Sequence, residues 1–265
     1  MPKQSAERRR QIASLAAVQG RVTVTELAER FKVTAETIRR DLAILDEEGG
    51  VFRVHGGAVP IQSFRSNPTT YESRAKASLE AKRAIARKAV TLLPNPGSTL
   101  FLDGGTTTAL MARTMAELPE PEGFYTPFTI ITNSLPIALT LSDSPLFDIQ
   151  LLGGTVRPQS QAVVGDVATR TIGVLRADTA FVGTNALTLS HGLSTPDAQE
   201  GAVKRAMVTN AQRVIALCDS TKFGLDYLVS FASMEDLSTV VTDREATQDY
   251  VAALEASGIT VAFAD

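Results

Sequence analysis

The 265-residue sequence predicts an α/β protein in two parts: a short helical head, then a larger domain around a mainly parallel, doubly wound sheet. Three observations carry this. Residues 1–57 are charged and helix-patterned. From about Ser98 onward, apolar runs alternate with helical stretches, the order expected of strands covered on both faces. Between the two, Pro60 to Pro68 is polar and irregular and reads as a linker. The length suits about two domains. No internal repeat or low-complexity tract breaks the pattern.

Composition narrows the class. Hydrophobic residues make up 44% and charged residues 21%, as in a globular protein with a real core. No run approaches the ~18 apolar residues of a membrane span, so no membrane partner is expected. The charged start, Met1 to Arg10, is not followed by an apolar stretch of signal type. The one cysteine, Cys218, adjoins the apolar run Val214–Leu217 and reads as a buried structural thiol. Together these predict a cytoplasmic protein. The net charge of −3 is unpromising for a nucleic-acid partner, but it is unevenly placed. Residues 1–60 carry ten Lys/Arg against eight Asp/Glu, and the remainder sixteen against twenty-one. Local placement therefore has to decide.

In the head, helices are expected near 6–18, 24–31 and 35–48. Thr23 and Glu26 have the spacing of a capping box, with Val22 and Leu27 as its hydrophobic staple. Thr34 can cap the third helix, with Val33 and Ile38 as staple. At 100° per residue, Ile38, Leu42 and Leu45 form one stripe. Glu36, Arg40 and Ala43 fall opposite, flanked by Thr37 and Arg39. Gly49–Ala58, short and β-prone between glycines, reads as a small hairpin carrying Arg53 and His55. Two capped helices, a tight turn and a hairpin make residues 1–58 a winged helix-turn-helix domain, whose partner is double-stranded operator DNA. The candidate DNA contacts are Thr34, Glu36, Thr37, Arg39, Arg40, Arg53 and His55. Arginine can pair with guanine through two hydrogen bonds, and wing residues can reach backbone or minor groove.

Residues 59–75 are assigned to the linker and 76–265 to the second domain. Tyr71 to Leu93 reads as one helix stopped at Pro94-Asn95-Pro96-Gly97. Strands are expected at Thr99–Asp103, Phe128–Asn133, Phe147–Leu152, Thr179–Gly183, Val214–Asp219, Thr239–Thr242 and Thr260–Phe263. Helices fall near 107–117, 135–142, 166–175, 197–212 and 245–257. The stretch Asp103-Gly104-Gly105-Thr106-Thr107 is a strand end, a glycine turn and a hydroxyl-rich helix start, which suits an anion. It has neither P-loop nor dinucleotide spacing. No cofactor and no metal is expected. Further candidate ligand residues follow other strands: Asn133, Gly153, Gly154, Gly183, Asn185, Asp219 and Lys222, with Arg157 and Lys204 as additional cations. In open α/β sheets such loops can converge at the carboxyl ends of the strands.

Arg21 to Leu42 and the wing sequence Arg53-Val54-His55-Gly56-Gly57-Ala58 closely resemble the DeoR family of bacterial regulators. The resemblance continues through Asp103–Thr107, Ile131–Ser134, Leu152–Thr155, Gly201–Lys204 and Cys218–Gly224. It implies a transcriptional repressor with a Rossmann-like C-terminal sensor similar in fold to ribose-5-phosphate isomerase and the coenzyme A transferases. It also implies a phosphorylated sugar as effector. Gln161–Asp166 and Gly183–Leu189 look closest to an actinobacterial, SugR-type branch that controls sugar phosphotransferase or fructose genes. Reading two half-sites implies a homodimer or homotetramer. The alternative is a sugar-phosphate isomerase with an appended DNA module, using Asp178, Glu200 or Lys204 as acid and base. Glu200 and Lys204, four apart on a helix, can also simply pair.

Overall fold

The computed structural model describes residues 2–19, 22–48, 50–54, 56–60, 70–120, 122–123 and 125–265. The head runs α1 (Pro2–Gln19), β1 (Val22–Thr23), α2 (Val24–Phe31), α3 (Ala35–Glu47), β2 (Val51–Val54) and β3 (Gly57–Pro60). Local chemistry sets its corners. The Thr23 hydroxyl accepts from the Glu26 amide at 3.2 Å, and the Thr23 amide donates to the Glu26 carboxylate at 3.1 Å. Lys32, in the left-handed region, ends α2. Thr34 then caps α3 by accepting from the Thr37 amide at 3.2 Å. Ile12, Val22, Leu27, Ile38, Leu42 and Leu45 close into one core, so the two staples and the helical stripe meet as expected.

The hairpin β2–β3 gains a third strand, because β1 pairs with β3. That pairing brings Gly57 so close to Val22 that a Cβ there would lie 2.0 Å from the Val22 carbonyl oxygen. Asp41, on α3, is 97% buried and pairs with Arg8 at 2.6 Å and Arg9 at 3.7 Å, tying α1 to α3.

The second part begins with α4 (Tyr71–Lys76) and α5 (Leu79–Val90). The expected single helix is thus broken at Ala77–Ser78. Ser78 sits at φ 49°, ψ 40°, a left-handed conformation that a continuous helix excludes. There follow β4 (Thr99–Leu102), α6 (Thr106–Ala116), β5 (Phe128–Thr132), α7 (Leu135–Leu141), β6 (Phe147–Leu151), β7 (Thr155–Arg157), β8 (Ala162–Val164) and α8 (Asp166–Gly173). Then come β9 (Ala177–Gly183), β10 (Ala186–Thr188), β11 (Gly192–Thr195), α9 (Ala198–Thr209), β12 (Ala211–Leu217), β13 (Val229–Ala232), β14 (Thr239–Thr242), α10 (Gln248–Ala256) and β15 (Thr260–Phe263).

All seven expected strands join one parallel sheet in the order β15-β14-β12-β9-β4-β5-β6. Their unbroken apolar runs have a direct cause: helices cover both faces. Leu100, Leu102, Phe181, Ile215 and Leu217 pack with α5, α6 and α7. Phe101, Ala180, Val182, Val214 and Ala216 pack with α8, α9 and α10. Cys218 is fully buried on that second face, and burial pushes its thiol up to about 12. The hairpin β7–β8 and the antiparallel sheet β10-β11-β13 leave no mark in the sequence, being three- and four-residue strands without clear alternation.

Candidate functional site

The sheet order decides which strand-end loops meet. β12, β9 and β4 are adjacent, and the chain leaves β4 for β5 on one side while β9 lies on the other. Such a switch point opens a crevice at the carboxyl ends of the strands. A cavity of about 180 Å³ lies there. Gly104 to Thr107 line it from β4, Gly183 and Asn185 from β9, and Asp219 and Lys222 from β12. Lys204 and Glu200 reach it from α9.

Other expected ligand residues do not line this cavity. Asp103 is 99% buried beneath it, ion-paired with Lys204 and accepting from the Gly183 amide at 3.0 Å. Lys204 also donates to the Gly183 carbonyl at 2.9 Å. Asn133 lies behind the glycine turn, accepting from the Gly104 amide at 2.8 Å and donating to the Val163 carbonyl at 3.1 Å. Gly153 and Gly154 follow β6, two strands beyond β4. Arg157 pairs with Asp197 at 3.2 Å and with Glu200 at 3.0 Å. Glu200 and Lys204 therefore do not pair with each other; each is taken by a different partner. Asp178 lies near the start of β9, at the opposite end of the sheet, where its carboxylate accepts from the Thr99 amide at 2.8 Å.

The electrostatics of the cavity follow from these pairings. Helix α6 starts at Thr106 with no acidic residue in its first turn and no side-chain cap. Its first amides thus have no intrahelical acceptor, and its dipole is uncompensated. Gly104 has no room for a side chain, since a Cβ would meet Ala162 at 2.8 Å. Lys222 pairs with Asp219 at 3.1 Å. Burial works to raise the Asp219 carboxyl, but Lys222, the Thr221 hydroxyl and Lys82 prevail and hold it below the usual range.

Two further cations line the cavity that the sequence had not suggested, Arg74 on α4 and Lys82 on α5. Burial, with Lys222 and Arg74 nearby, lowers Lys82 to about 8 despite the opposing pull of Asp219. Their signal was faint. They look like ordinary charges on a solvated helix, and only the break at Ser78 turns them inward.

In the head, Glu36, Arg39 and Arg40 are exposed on the face of α3 opposite its core, with Thr37 half-buried and Thr34 exposed at its start. The Thr34 and Thr37 hydroxyls lie 2.9 Å apart, and Arg39 pairs with Glu36 at 3.4 Å. Arg53 is exposed on β2. His55 lies outside the described residues. This arrangement presents guanidinium and hydroxyl groups at one helix start beside a hairpin, as a groove-reading surface requires.

Residues 8–64 match the DeoR-like helix-turn-helix domain, and residues 77–244 the DeoR C terminal sensor domain. Among characterised relatives, the chain is similar to the HTH-type transcriptional regulator GlpR of Haloferax volcanii, at 36% identity over 97% of this chain and 96% of that one. It is 34% identical to the glycerol-3-phosphate regulon repressor of Escherichia coli, over 89% and 90% of the two chains. With the lactose phosphotransferase system repressor of Lactococcus lactis it shares 32% identity over 91% of each. Among solved structures, ribose 5-phosphate isomerase A of Methanocaldococcus jannaschii is similar over 56% of this chain and 55% of that one, at 17% identity and a TM-score of 0.40. Among the described residues, no helix is long and apolar enough to cross a membrane.

Proposed function

Because the chain belongs to the DeoR family, we propose that it is a cytoplasmic DNA-binding repressor of carbohydrate uptake or metabolism genes, released from its operator by a phosphorylated sugar. Relatives named as repressors of glycerol-3-phosphate and lactose phosphotransferase systems support the gene class. The observation that carries the effector class is the uncompensated start of α6, bounded by the Gly104–Gly105 turn and faced by Lys222 in one small cavity. Free amides and a positive dipole end favour a phosphate there, and Asn185, Glu200 and Lys204 supply polar groups for sugar hydroxyls. Glu200 and Lys204 are both held in ion pairs, an arrangement suited to binding rather than to proton transfer. Asn133 and Arg157 act one layer back, fixing the glycine turn and Glu200. The active species is a homodimer or homotetramer, since paired half-sites need paired readers.

The sensor is tested by Thr106→Asp. A carboxylate at the helix start takes the place of the anion, so affinity for sugar phosphates should fall at least about tenfold, roughly 1.4 kcal/mol. The folded variant should stay on a DNA duplex from its own upstream region when the sugar phosphate is added. Normal release would show that the phosphate binds elsewhere.

For the reader, Arg40→Ala should weaken binding to the same duplex by about 1–3 kcal/mol, the scale of one base contact. Affinity measured by fluorescence anisotropy that stays at the wild-type value would remove Arg40 from the recognition surface.

A further inference from the structure

Part of the cavity wall is made by the segment that enters this domain from the head. Arg74, Ala77 and Ser78 of the α4–α5 corner line it, together with Lys82 one turn further on. The charges there are unbalanced. Lys204 has Asp103, Glu200 has Arg157, and Lys222 has Asp219. Arg74 and Lys82 form no ion pair among the described residues. Lys82 is 97% buried and donates to the Arg74 carbonyl at 2.5 Å. One Arg74 nitrogen donates to the Gln159 carbonyl at 2.8 Å, while its Nε is buried without a hydrogen bond. The hydrogen bonds of both cations thus go to neutral carbonyl oxygens, with Asp219 pulling on Lys82 only at longer range, and a buried charge held that way is costly until an anion arrives.

The same two bonds hold the corner in place. Lys82 ties α5 to the end of α4, and Arg74 ties α4 to the loop between β7 and β8. Between them sits Ser78, left-handed and with no side-chain capping bond, in a conformation that costs a non-glycine residue about 1 kcal/mol or more. A ligand that binds a second arrangement of this joint better than the first would shift the balance toward it.

We propose that the α4–α5 corner is an anion-operated latch: Arg74 and Lys82 take up the anionic group of the effector, exchange their carbonyl bonds for it, and so reposition α4, the helix at the end of the 59–75 linker from the DNA reader. This rests on the sensor reading above and adds to it the residues that convert occupancy into release. The ligand class is a small phosphorylated polyol or sugar whose anionic group reaches the corner as well as the helix start.

The test uses the full chain, the upstream duplex, and three probes: inorganic phosphate, glycerol 3-phosphate and fructose 1-phosphate. Lys82→Gln and Arg74→Gln are compared with wild type; Arg74 is only half-buried, so its variant keeps the core intact if Lys82→Gln does not fold. Wild type should lose operator affinity by about tenfold or more at saturating probe, within the usual range of allosteric coupling. Each variant should bind the probe about tenfold more weakly by calorimetry and, once saturated, lose less than about twofold of its own ligand-free operator affinity. Unchanged probe affinity in both variants, or full release after saturation, overturns the latch. If no probe binds wild type or shifts its operator affinity, the sensor reading fails instead. Hydrogen exchange of the ligand-free protein then decides the corner alone: the variants should speed exchange across residues 71–81 about tenfold, and unchanged protection overturns the latch.

Discussion

Replacing Lys204 with methionine should destabilise the second domain by about 3–5 kcal/mol, the cost of leaving a buried carboxylate without its cation. Lys204 is 96% buried and Asp103 99%. The ammonium group also donates to the Gly183 carbonyl and lies 5.3 Å from the centre of the Phe231 ring, so one substitution removes three interactions. At about 2–4 °C per kcal/mol for a domain of this size, the melting temperature should fall by several degrees at least. The loss should also depend on pH. Burial raises the Asp103 carboxyl and Lys204 works against that rise, so removing Lys204 raises it further. The stability linked to a raised carboxyl is present below its unfolded value of about 3.9 and is lost as pH rises through the folded value. The deficit of the variant should therefore widen from acid toward neutral pH. The double variant Asp103→Leu, Lys204→Met removes both charges and should recover much of the stability. A deficit that is flat across this pH range, or unrelieved in the double variant, would mean that the pair is not what Lys204→Met disrupts.

Gly57→Ala should separate the two parts of the protein. The new methyl group would lie 2.0 Å from the Val22 carbonyl oxygen, against backbone that has no flexible end to yield. Relieving it means parting β1 from β3, the pairing that places the start of α2. Lost strand bonds and loosened packing of Val22 amount to about 2–4 kcal/mol. A head of roughly 55 residues has only about 3–8 kcal/mol in total. Because parting β1 from β3 also displaces the start of α2 and with it α3, duplex binding should fall by about tenfold or more, the scale of one base contact, while the larger domain melts as in wild type. Operator affinity within a few fold of wild type would show that the β1–β3 contact is dispensable for placing α3.

The two substitutions contrast what the sequence shows with what it hides. All seven sheet strands are visible as apolar runs because helices cover both faces, and composition records burial. The reader is visible because caps such as Thr23–Glu26 and Thr34 are local chemistry. Sheet order is not local. Asn133, Gly153 and Gly154 look equivalent to Gly104 and Gly183 along the chain, yet their strands lie one and two places beyond β4, away from the crevice. Buried charge is equally silent. Asp41 and Arg74 have the composition of a solvated face, and only tertiary contacts turn them into a helix tie and a cavity wall. The break at Ser78 carries no glycine or asparagine to announce it; the surrounding contacts impose the left-handed turn.

The position of β9 between β4 and β12 has a consequence for how the protein is made. Leu100 pairs with Thr179, about 80 residues later. At roughly 5–20 residues per second of synthesis, β4 waits about 4–16 s for that neighbour, holding only β5 and β6 on its other side. The head, whose pairings are all near in sequence, folds before this wait begins. The nascent chain thus passes through a stage with a finished reader and a half-built sheet whose open edge is an apolar strand. That edge is where two nascent chains would join wrongly, and the speed of translation through residues 103–183 sets how long it stays open.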